Sequence, residues 1–266
     1  MTGPDAAPTL TDPGRPHPAR VYDWWLGGKD NYPVDEELGR GILAADPTVR
    51  RGARANRRFM LRATRALAEG GIRQFLDIGT GIPTEPNLHQ AAQEAVPEAR
   101  VVYADNDPVV LRHAQALLRG SPQGRTDYVH ADVRDPETIL RSAAETLDLD
   151  RPVALSLVAL THYLAADEDD AYGLLGRYMD ALAPGSCLVL SQVTQDLAPE
   201  RMAKVTELFR RGGTPFFPRS HTEVSRFFDG LHLLDPGVVP VLEWRPGPED
   251  PAEEPVPVYA AVGRKP

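Results

Sequence analysis

The stretch QFLDIGTGIPTEPNLHQAAQEA, residues 74–95, changes from an apolar strand pattern to a helical pattern across a loop that contains Gly79 and Gly81. Glycine lets a chain turn tightly and approach a ligand closely, and the helix that follows offers free backbone N–H groups at its start. A strand, a glycine loop and a helix in this order predict a ligand-binding turn in a parallel α/β sheet. A glycine pair after a strand also occurs in ordinary turns. The choice between a ligand-binding turn and an ordinary turn therefore depends on the rest of the chain.

Four further apolar runs follow the first strand (74–79), with helical patterns between them. The runs are residues 100–105, 127–132, 152–160 and 187–193, and the helical patterns are 87–95, 109–119, 136–147 and 168–182, followed by 199–211 and 220–228. This alternation predicts right-handed crossovers in a doubly wound parallel sheet. Two last apolar runs, 231–242 and 256–262, are separated by a turn too short for a helix, which predicts an antiparallel hairpin. The predicted fold is therefore α/β, with five parallel strands and a terminal antiparallel hairpin in a seven-stranded sheet.

The residues before the sheet fall into two segments of different composition. Residues 1–18 are rich in Pro, Gly and Asp, and we expect a flexible N-terminus. Residues 19–69 begin with the aromatic segment VYDWWLGGKDNY, which would be costly to leave in water, and continue with two helical patterns, 34–45 and 48–69. We expect them to form an N-terminal helical cap on a sheet domain of residues 70–266.

Composition excludes several classes of protein. The 266 residues carry 29 basic and 38 acidic side chains, a net charge of -9, so no overall field attracts nucleic acid or an anionic membrane. Cys187 is the single cysteine, which excludes an intrachain disulfide and a cysteine-based metal cluster. The first residues lack the pattern of a secretion signal, and no apolar run reaches the roughly 18 residues of a membrane span. We expect a cytoplasmic protein that binds no metal, nucleic acid or membrane.

Acidic side chains stand at the ends of the second and third predicted strands. Asp105 lies 24 residues after Gly81, at a distance where a carboxylate can accept hydrogen bonds from two ribose hydroxyls. Asp132 can accept from an exocyclic amine while Val133 packs on a purine, although Asp132 could instead cap the helix that follows. A nucleoside site at this edge is the favoured interpretation.

The fourth predicted strand ends in Thr161, His162 and Tyr163, at the edge where such sheets bind ligands. His162 could serve as a base or contact a substrate, with Tyr163 beside it, but a hydrogen-bonded structural histidine is an equal alternative.

Four motifs in order, DIGTGIP, VVYADND, HADVRD and LAPGSCLVLS, resemble those of the S-adenosylmethionine-dependent methyltransferases with a Rossmann-like sheet. The terminal hairpin is also a feature of that superfamily. The segments ARVYDWWLGGKDNYPVD, RANRRFMLRATRAL and FFDGLHLLDPGVVP extend the resemblance to nearly the whole chain from Pro18. They are similar to a bacterial S-adenosyl methyltransferase family that was long known only as a domain of unknown function.

This resemblance implies S-adenosylmethionine as cofactor and assigns roles to particular residues. It places Asp77, Gly79 and Gly81 around the methionine part, Asp105 on the ribose, Asn106 beside the adenine, and Asp132 and Val133 on the adenine. It also implies that the N-terminal extension, with Tyr22, Gly28 and Asn31, closes over the cofactor. Pro83 replaces a glycine common in the superfamily. The implied activity is metal-free in-line transfer of a methyl group to a small-molecule acceptor, with His162 and Tyr163 as candidates for proton handling.

Residues 50–65 contain seven arginines and no acidic residue, and most of these arginines fall on one broad helical face. One interpretation is a solvated face, in which the arginine stems cover apolar surface while their charges stay in solvent. Alternatively, Arg57 or Asn56 meets the cofactor carboxylate or an anionic substrate, or the face docks an acidic partner.

Two other functions are compatible with the same motifs. Every residue assigned above could serve a non-catalytic module that senses S-adenosylmethionine or S-adenosylhomocysteine. An NAD-dependent dehydrogenase would share the strand, the glycine loop and the acidic residue. The missing third glycine and the terminal hairpin count against the dehydrogenase.

Overall fold

The structure is a computed structural model that describes residues 14–117, 120–167, 169–248, 250 and 254–266. Most of the predicted flexible N-terminus, residues 1–18, lies outside the described residues. So do the end of the predicted helix 109–119, the first residue of the predicted helix 168–182 and part of the acidic turn that follows residue 245.

The α/β fold predicted from the sequence is confirmed, with eight strands in one sheet. The strands are β1 (Gln74–Ile78), β2 (Arg100–Asp105), β3 (Arg125–His130), β4 (Ala154–Val158), β5 (Cys187–Val193), β6 (His232–Leu233), β7 (Val239–Pro240) and β8 (Val258–Arg264). Their order is β3-β2-β1-β4-β5-β8-β6, and β7 also pairs with β8. Strands β1 to β5 are parallel, whereas β8 runs antiparallel to β5.

Nine helices lie before, between and after the strands in the described part of the chain. They are α1 (Pro18–Leu26), α2 (Pro33–Ala45), α3 (Val49–Glu69), α4 (Leu88–Ala95), α5 (Pro108–Leu117), α6 (Pro136–Ala143), α7 (Ala171–Asp180), α8 (Pro199–Arg211) and α9 (His221–Ser225), with short 3₁₀ turns at Thr161–Tyr163 and Arg226–Phe228. Among these residues, no helix combines the length and the apolar character that a membrane crossing needs.

Alternate residues of the central strands supply the cores on the two faces of the sheet. Phe75 packs on one face with Phe59 of α3 and Trp244. The Phe59 and Trp244 rings meet edge to face, with their centroids 5.3 Å apart. Leu76 packs on the other face with Ile139 of α6. Because both faces are covered, β1 is buried along its whole length, as expected of a central parallel strand.

A third apolar cluster holds α1 and α2 against α8. Trp25 of α1 and Ile42 of α2 pack there with Phe209 of α8, all three being buried. Helix α1 ends at Gly27, whose φ of 89° is accessible to glycine at little cost, so the chain reverses direction before α2. This placement puts α1 above the carboxyl ends of the parallel strands.

The terminal hairpin differs from the sequence prediction in one strand. The apolar run 231–242 forms two short strands, β6 and β7, instead of one, and both pair with β8. Between them Asp235, Pro236 and Gly237 make a turn in which the Gly237 N–H donates to Leu234 O at 2.8 Å. Proline has no N–H for a ladder hydrogen bond, and Gly237 has a φ of 86° that an extended strand does not allow.

Candidate functional site

A cavity of about 190 Å³ lies at the carboxyl ends of the parallel strands, beneath α1. Its lining includes His17 and residues from the cap (Tyr22, Asp23, Asn56, Arg57 and Met60), from the ends of β1 and β2 and the loops that follow them (Asp77, Gly79, Gly81, Asp105 and Asn106) and from the loops after β3 and β4 (Ala131, Val133, Arg134, Leu160 and Tyr163). We call it the main cavity. Loops from four neighbouring strands and a helical lid thus enclose one volume, as in other doubly wound sheets.

Glycine is required in the loop after β1 for two separate reasons. Gly79 and Gly81 have φ angles of 75° and 66°, which residues with a side chain rarely adopt. A Cβ atom on Gly79 would also lie 2.8 Å from a methyl carbon of Leu160. The Gly81 N–H donates to Asp105 Oδ2 at 2.8 Å, so this loop is tied directly to the end of β2.

Two buried carboxylates face the main cavity from neighbouring strands. Asp105 accepts hydrogen bonds from the backbone N–H groups of Gly81 and Asp107, and burial raises the pKa of its carboxyl group. Burial also raises the pKa of Asp77 to about 6, while the nearby Arg57 guanidinium acts in the opposite direction. A ligand that brings hydrogen-bond donors or positive charge would stabilise both carboxylates in their ionised form.

Arg57 connects the cap to the loop after β1. Its Nη2 atom donates to Thr84 O at 2.5 Å and to Pro86 O at 2.7 Å, and the side chain lines the main cavity. The guanidinium therefore holds the end of the glycine loop that leads into α4, and it places a positive charge at the edge of the main cavity.

The other arginines of α3 mostly meet partners within the molecule. Arg58 and Arg62 bind Asp250 at 3.1 Å, and Arg62 also donates to the carbonyl oxygens of Val241 and Trp244. The remaining contacts pair Arg65 with Glu94, pair Arg51 with Glu254 and place Arg50 over the Trp24 ring. The side chains of Arg51 and Arg65 are partly exposed, so the solvated face and the partner-docking face considered from the sequence both stay hypotheses.

Polar side chains form a connected group at the end of β3. Asn106 donates to Asp132 Oδ2 at 2.8 Å, and Arg134 bridges Asp132 and Asp169, with its Nε atom 2.6 Å from Asp169 Oδ1. Asn106, Val133 and Arg134 line the main cavity, whereas Asp132 is not among its lining residues. Asp132 therefore orients two residues that do line it.

The cap contributes a carboxylate that the sequence analysis did not single out. Asp23 lines the main cavity, and its Oδ2 atom accepts from Asn31 Nδ2 at 2.8 Å and from the Asp30 N–H at 3.0 Å. Burial raises the pKa of this carboxyl group. The predicted residues Gly28 and Asn31 lie behind Asp23 and not on the cavity lining.

A buried ion pair joins the cap to the loop after β2. Arg20 binds Asp35 at 3.0 Å and lies 3.8 Å from Asp107 Oδ2, an atom that is also 3.2 Å from His17 Nδ1. We call this group of four side chains, His17, Arg20, Asp35 and Asp107, the latch. It is connected to the carboxylate at the end of β2 because the Asp107 N–H donates to Asp105.

A second cavity of about 70 Å³ adjoins the main cavity, and the predicted residue His162 lines it. Tyr163 lines both cavities. Burial lowers the pKa of His162 to about 3 and raises that of Tyr163, so both side chains are uncharged at neutral pH. Tyr22 also lines both, and its hydroxyl donates to Ala53 O at 2.9 Å.

Most of the predicted site residues meet around the main cavity: Tyr22, Arg57, Asp77, Gly79, Gly81, Asp105, Asn106, Val133 and Tyr163. Asp23 and Arg134 also line it and were missed; the only sequence signal was their position inside motifs already quoted. No group of three or more His, Cys, Asp or Glu side chains suited to a metal ion occurs among the residues that the structure describes.

Comparisons with known proteins give consistent matches. A family described as S-adenosyl methyltransferase matches residues 4–266. A DUF574 family protein from Streptomyces avermitilis is 47% identical, with a TM-score of 0.92 over 96% of this chain and 99% of its own. A methyltransferase candidate from Thermobifida fusca is 39% identical, with a TM-score of 0.86 over 97% of this chain and 99% of its own.

More distant structures share only the fold. Human N-acetylserotonin methyltransferase in complex with S-adenosylmethionine is 17% identical, with a TM-score of 0.50 over 95% of this chain and 63% of its own. Among curated proteins, none is significantly similar to the chain.

Proposed function

The chain belongs to the S-adenosyl methyltransferase family, whose cofactor is S-adenosylmethionine, and on this premise we propose that it methylates a small-molecule acceptor by metal-free in-line displacement in the cytoplasm. The observation that carries the proposal is the main cavity, where acidic, glycine and apolar residues from four neighbouring strand ends meet beneath the cap. A concave cavity of this size suits a small acceptor better than a polymer.

The lining of the main cavity fits the parts of the cofactor in order along the sheet edge. Asp105, anchored by two backbone N–H groups, offers carboxylate oxygens to the ribose hydroxyls. Val133 and Asn106 supply an apolar contact and a polar edge for the adenine, with Asp132 holding Asn106 in place.

At the other end of the main cavity, Asp77 offers a carboxylate to the methionine ammonium group, and Arg57 offers a guanidinium to its carboxylate. Asp23 adds a carboxylate above them from the cap.

The chain's own residues have to align the reactants and keep water out. When bound, the cofactor supplies a methyl group that its sulfonium has already activated. The glycine loop and Asp105 orient the cofactor, while α1 and the latch close the site and exclude water. Tyr22, Asn56 and Tyr163 stand between the two cavities and direct the acceptor toward the methyl group.

Incubation with methyl-labelled S-adenosylmethionine and a metabolite extract tests the proposed activity. We expect label in a small molecule and accumulation of S-adenosylhomocysteine. Tight cofactor binding without methyl transfer to any component of several metabolite extracts would favour the non-catalytic sensor module. A thermal shift with NAD but none with S-adenosylhomocysteine would favour the dehydrogenase.

We predict that affinity for S-adenosylhomocysteine rises between pH 5 and pH 7.5. With a pKa of about 6, Asp77 is mostly neutral at pH 5 and ionised at pH 7.5, and only the ionised form attracts the ligand's ammonium group. Bound positive charge favours the carboxylate, so binding near pH 6 also releases a proton. Calorimetry in buffers of different ionisation enthalpy measures both quantities.

The variant Asp77→Asn is the control for this pH dependence, and its affinity should vary little over the same range. Because the folded-state pKa lies above the unfolded value, ionisation of Asp77 destabilises the ligand-free fold as pH rises from about 4 to 6. The difference in thermal stability between Asp77→Asn and the wild type should therefore increase in favour of the variant as pH rises to about 6. A variant that keeps the wild-type pH profile would assign the titration to another group.

We predict that Gly28→Ala weakens S-adenosylhomocysteine binding about tenfold while the protein stays folded. A Cβ atom at this position would lie 1.9 Å from Asp23 Oδ1, so the carboxylate must leave the position that Asn31 holds. A tenfold change corresponds to about 1.4 kcal/mol. Gly176→Ala is the matched control because a Cβ there meets nothing within 4 Å. Equal affinities of the two variants would contradict a role for Asp23 in binding.

A further inference from the structure

The second cavity adjoins the main cavity, and four residues line both: Tyr22, Asn56, Ala159 and Tyr163. The rest of its wall comes from Trp25 of α1, from His162, from α2, α3 and α8, from the ends of β5 and β8 and from the segment around Phe216. A molecule held in this cavity would touch the residues that face the cofactor.

Aromatic rings form much of the wall of the second cavity. Phe209 and Phe216 stack with centroids 4.4 Å apart, and the edge of the His162 ring meets Phe216 at 5.2 Å. Tyr163 and Trp25 each contact Phe209 from other sides. Such a wall favours an apolar occupant that packs against the rings.

Two buried polar atoms on this wall have no hydrogen-bond partner: Asn56 Oδ1 and His162 Nδ1. Their side chains are only 4% and 3% exposed. Because Tyr22 donates its hydroxyl hydrogen to Ala53 O, it accepts from Asn56 Nδ2, which leaves the amide oxygen as the free acceptor. An unmatched buried acceptor costs roughly 1–3 kcal/mol, which a ligand with an O–H or N–H group would recover.

The second cavity offers no uncompensated charge among the residues described on its wall. Asp46 accepts from the Thr48 N–H and hydroxyl and lies 3.4 Å from Arg201 Nη1. His162 is buried beside Arg219 and remains neutral. A charged ligand would lose its hydration without gaining a partner.

We propose that the second cavity holds the reacting end of the methyl acceptor, an uncharged group smaller than a benzene ring that carries an O–H or N–H. The cavity volume of about 70 Å³ is roughly half that of the 150 Å³ cavity that accepts benzene in an engineered protein, so a six-membered ring does not fit. The inference rests on the proposed function and specifies its substrate class. Asn56 Oδ1 accepts the hydrogen bond of the reacting group.

In the methyl transfer, a bond forms between the acceptor's oxygen or nitrogen and the methyl carbon, and the bond from that carbon to sulfur breaks, with its electron pair left on sulfur. The proton of the reacting group is released to water once the new bond has formed.

The methionines of the chain provide a direct test of this assignment. Met60 lines the main cavity, Met202 lines the second cavity, and Met179 lies in the core on the other face of the sheet. With methyl-¹³C methionine and assignment by Met→Leu variants, S-adenosylhomocysteine should shift the Met60 signal. Ethanol added to the saturated protein should then shift the Met202 signal and leave Met179 unchanged.

Matched probes define the chemistry of the cavity. Dimethyl ether has the size of ethanol but lacks the donor, and acetate carries a charge, so we expect ethanol to bind at least tenfold more tightly than acetate and also more tightly than dimethyl ether. Val205→Phe fills the second cavity from α8 without touching the main one, and should abolish the ethanol response while S-adenosylhomocysteine still shifts Met60.

The possible failures are distinguishable. Absence of a Met60 response to S-adenosylhomocysteine would overturn the proposed function. A normal Met60 response with no Met202 response to ethanol, or with acetate bound as tightly as ethanol, would overturn the acceptor assignment alone. The wild-type series decides this even if Val205→Phe does not fold.

Discussion

Replacing Asp105 by alanine is expected to weaken S-adenosylhomocysteine binding about 5- to 150-fold, a loss of about 1–3 kcal/mol. The variant removes the carboxylate that we assign to the ribose and leaves the N–H groups of Gly81 and Asp107 without their acceptor. The glycine loop then loses its direct bond to the end of β2. Isothermal titration calorimetry at pH 7.5 measures the change.

Two comparisons separate a ribose contact from a general disturbance of the fold. The wild type should prefer adenosine to 2′,3′-dideoxyadenosine as a competitor, and Asp105→Ala should lose this preference. Asp135→Ala removes the N-cap of α6, where Asp135 accepts from the Thr138 N–H, so it should lower stability by about 1 kcal/mol without changing ligand affinity. A preference for adenosine that survives in Asp105→Ala would refute the ribose assignment.

Arg219→Met is expected to lower the free energy of unfolding by about 3–5 kcal/mol. Arg219 is 3% exposed, and its guanidinium donates to the carbonyl oxygens of Thr161 and Leu164, both at 2.6 Å. Methionine fills similar space but leaves these buried acceptors unmatched. The same hydrogen bonds hold the turn that carries His162 and Tyr163, so the second cavity should lose its shape as well. Urea denaturation followed by circular dichroism gives the stability.

Arg211→Met is the matched control for Arg219→Met. Arg211 is exposed and pairs with Glu207 within α8, so its loss should change stability by less than about 1 kcal/mol. Arg219→Lys keeps the charge without the planar fork and should fall between the two. If Arg219→Met were no less stable than Arg211→Met, the guanidinium would not be what holds this turn.

The central part of the fold was predictable because local signals and packing agree there. The glycine loop after β1 and the five parallel strands appear in the structure where the sequence indicated them. The loop depends on residues within a few positions of one another, and each of these strands is long enough to show its period. The acidic residue at the end of β2 follows from the register of two adjacent parallel strands.

The parts that were not predictable depend on residues far apart in the chain. Arg62 meets Trp244 and Asp250 across more than 180 positions, which no local pattern encodes. Asp23 lines the main cavity only because Gly28 leaves room for its carboxylate. The second cavity forms where α2, α3 and α8 meet the strand ends, and its two unmatched polar atoms are a property of packing alone.

The latch ties two events together because it shares a loop with the site. Asp107 faces Arg20 and His17 on the cap, while its own N–H orients Asp105 at the ribose position. Closure of the cap and occupation of the main cavity therefore act on one three-residue segment, Asp105 to Asp107. By thermodynamic reciprocity, whatever factor a closed cap adds to cofactor affinity, the bound cofactor adds to the population of the closed cap. Movement of the cap away from the sheet would separate Arg20 and His17 from Asp107 and so free the loop that holds the spent cofactor.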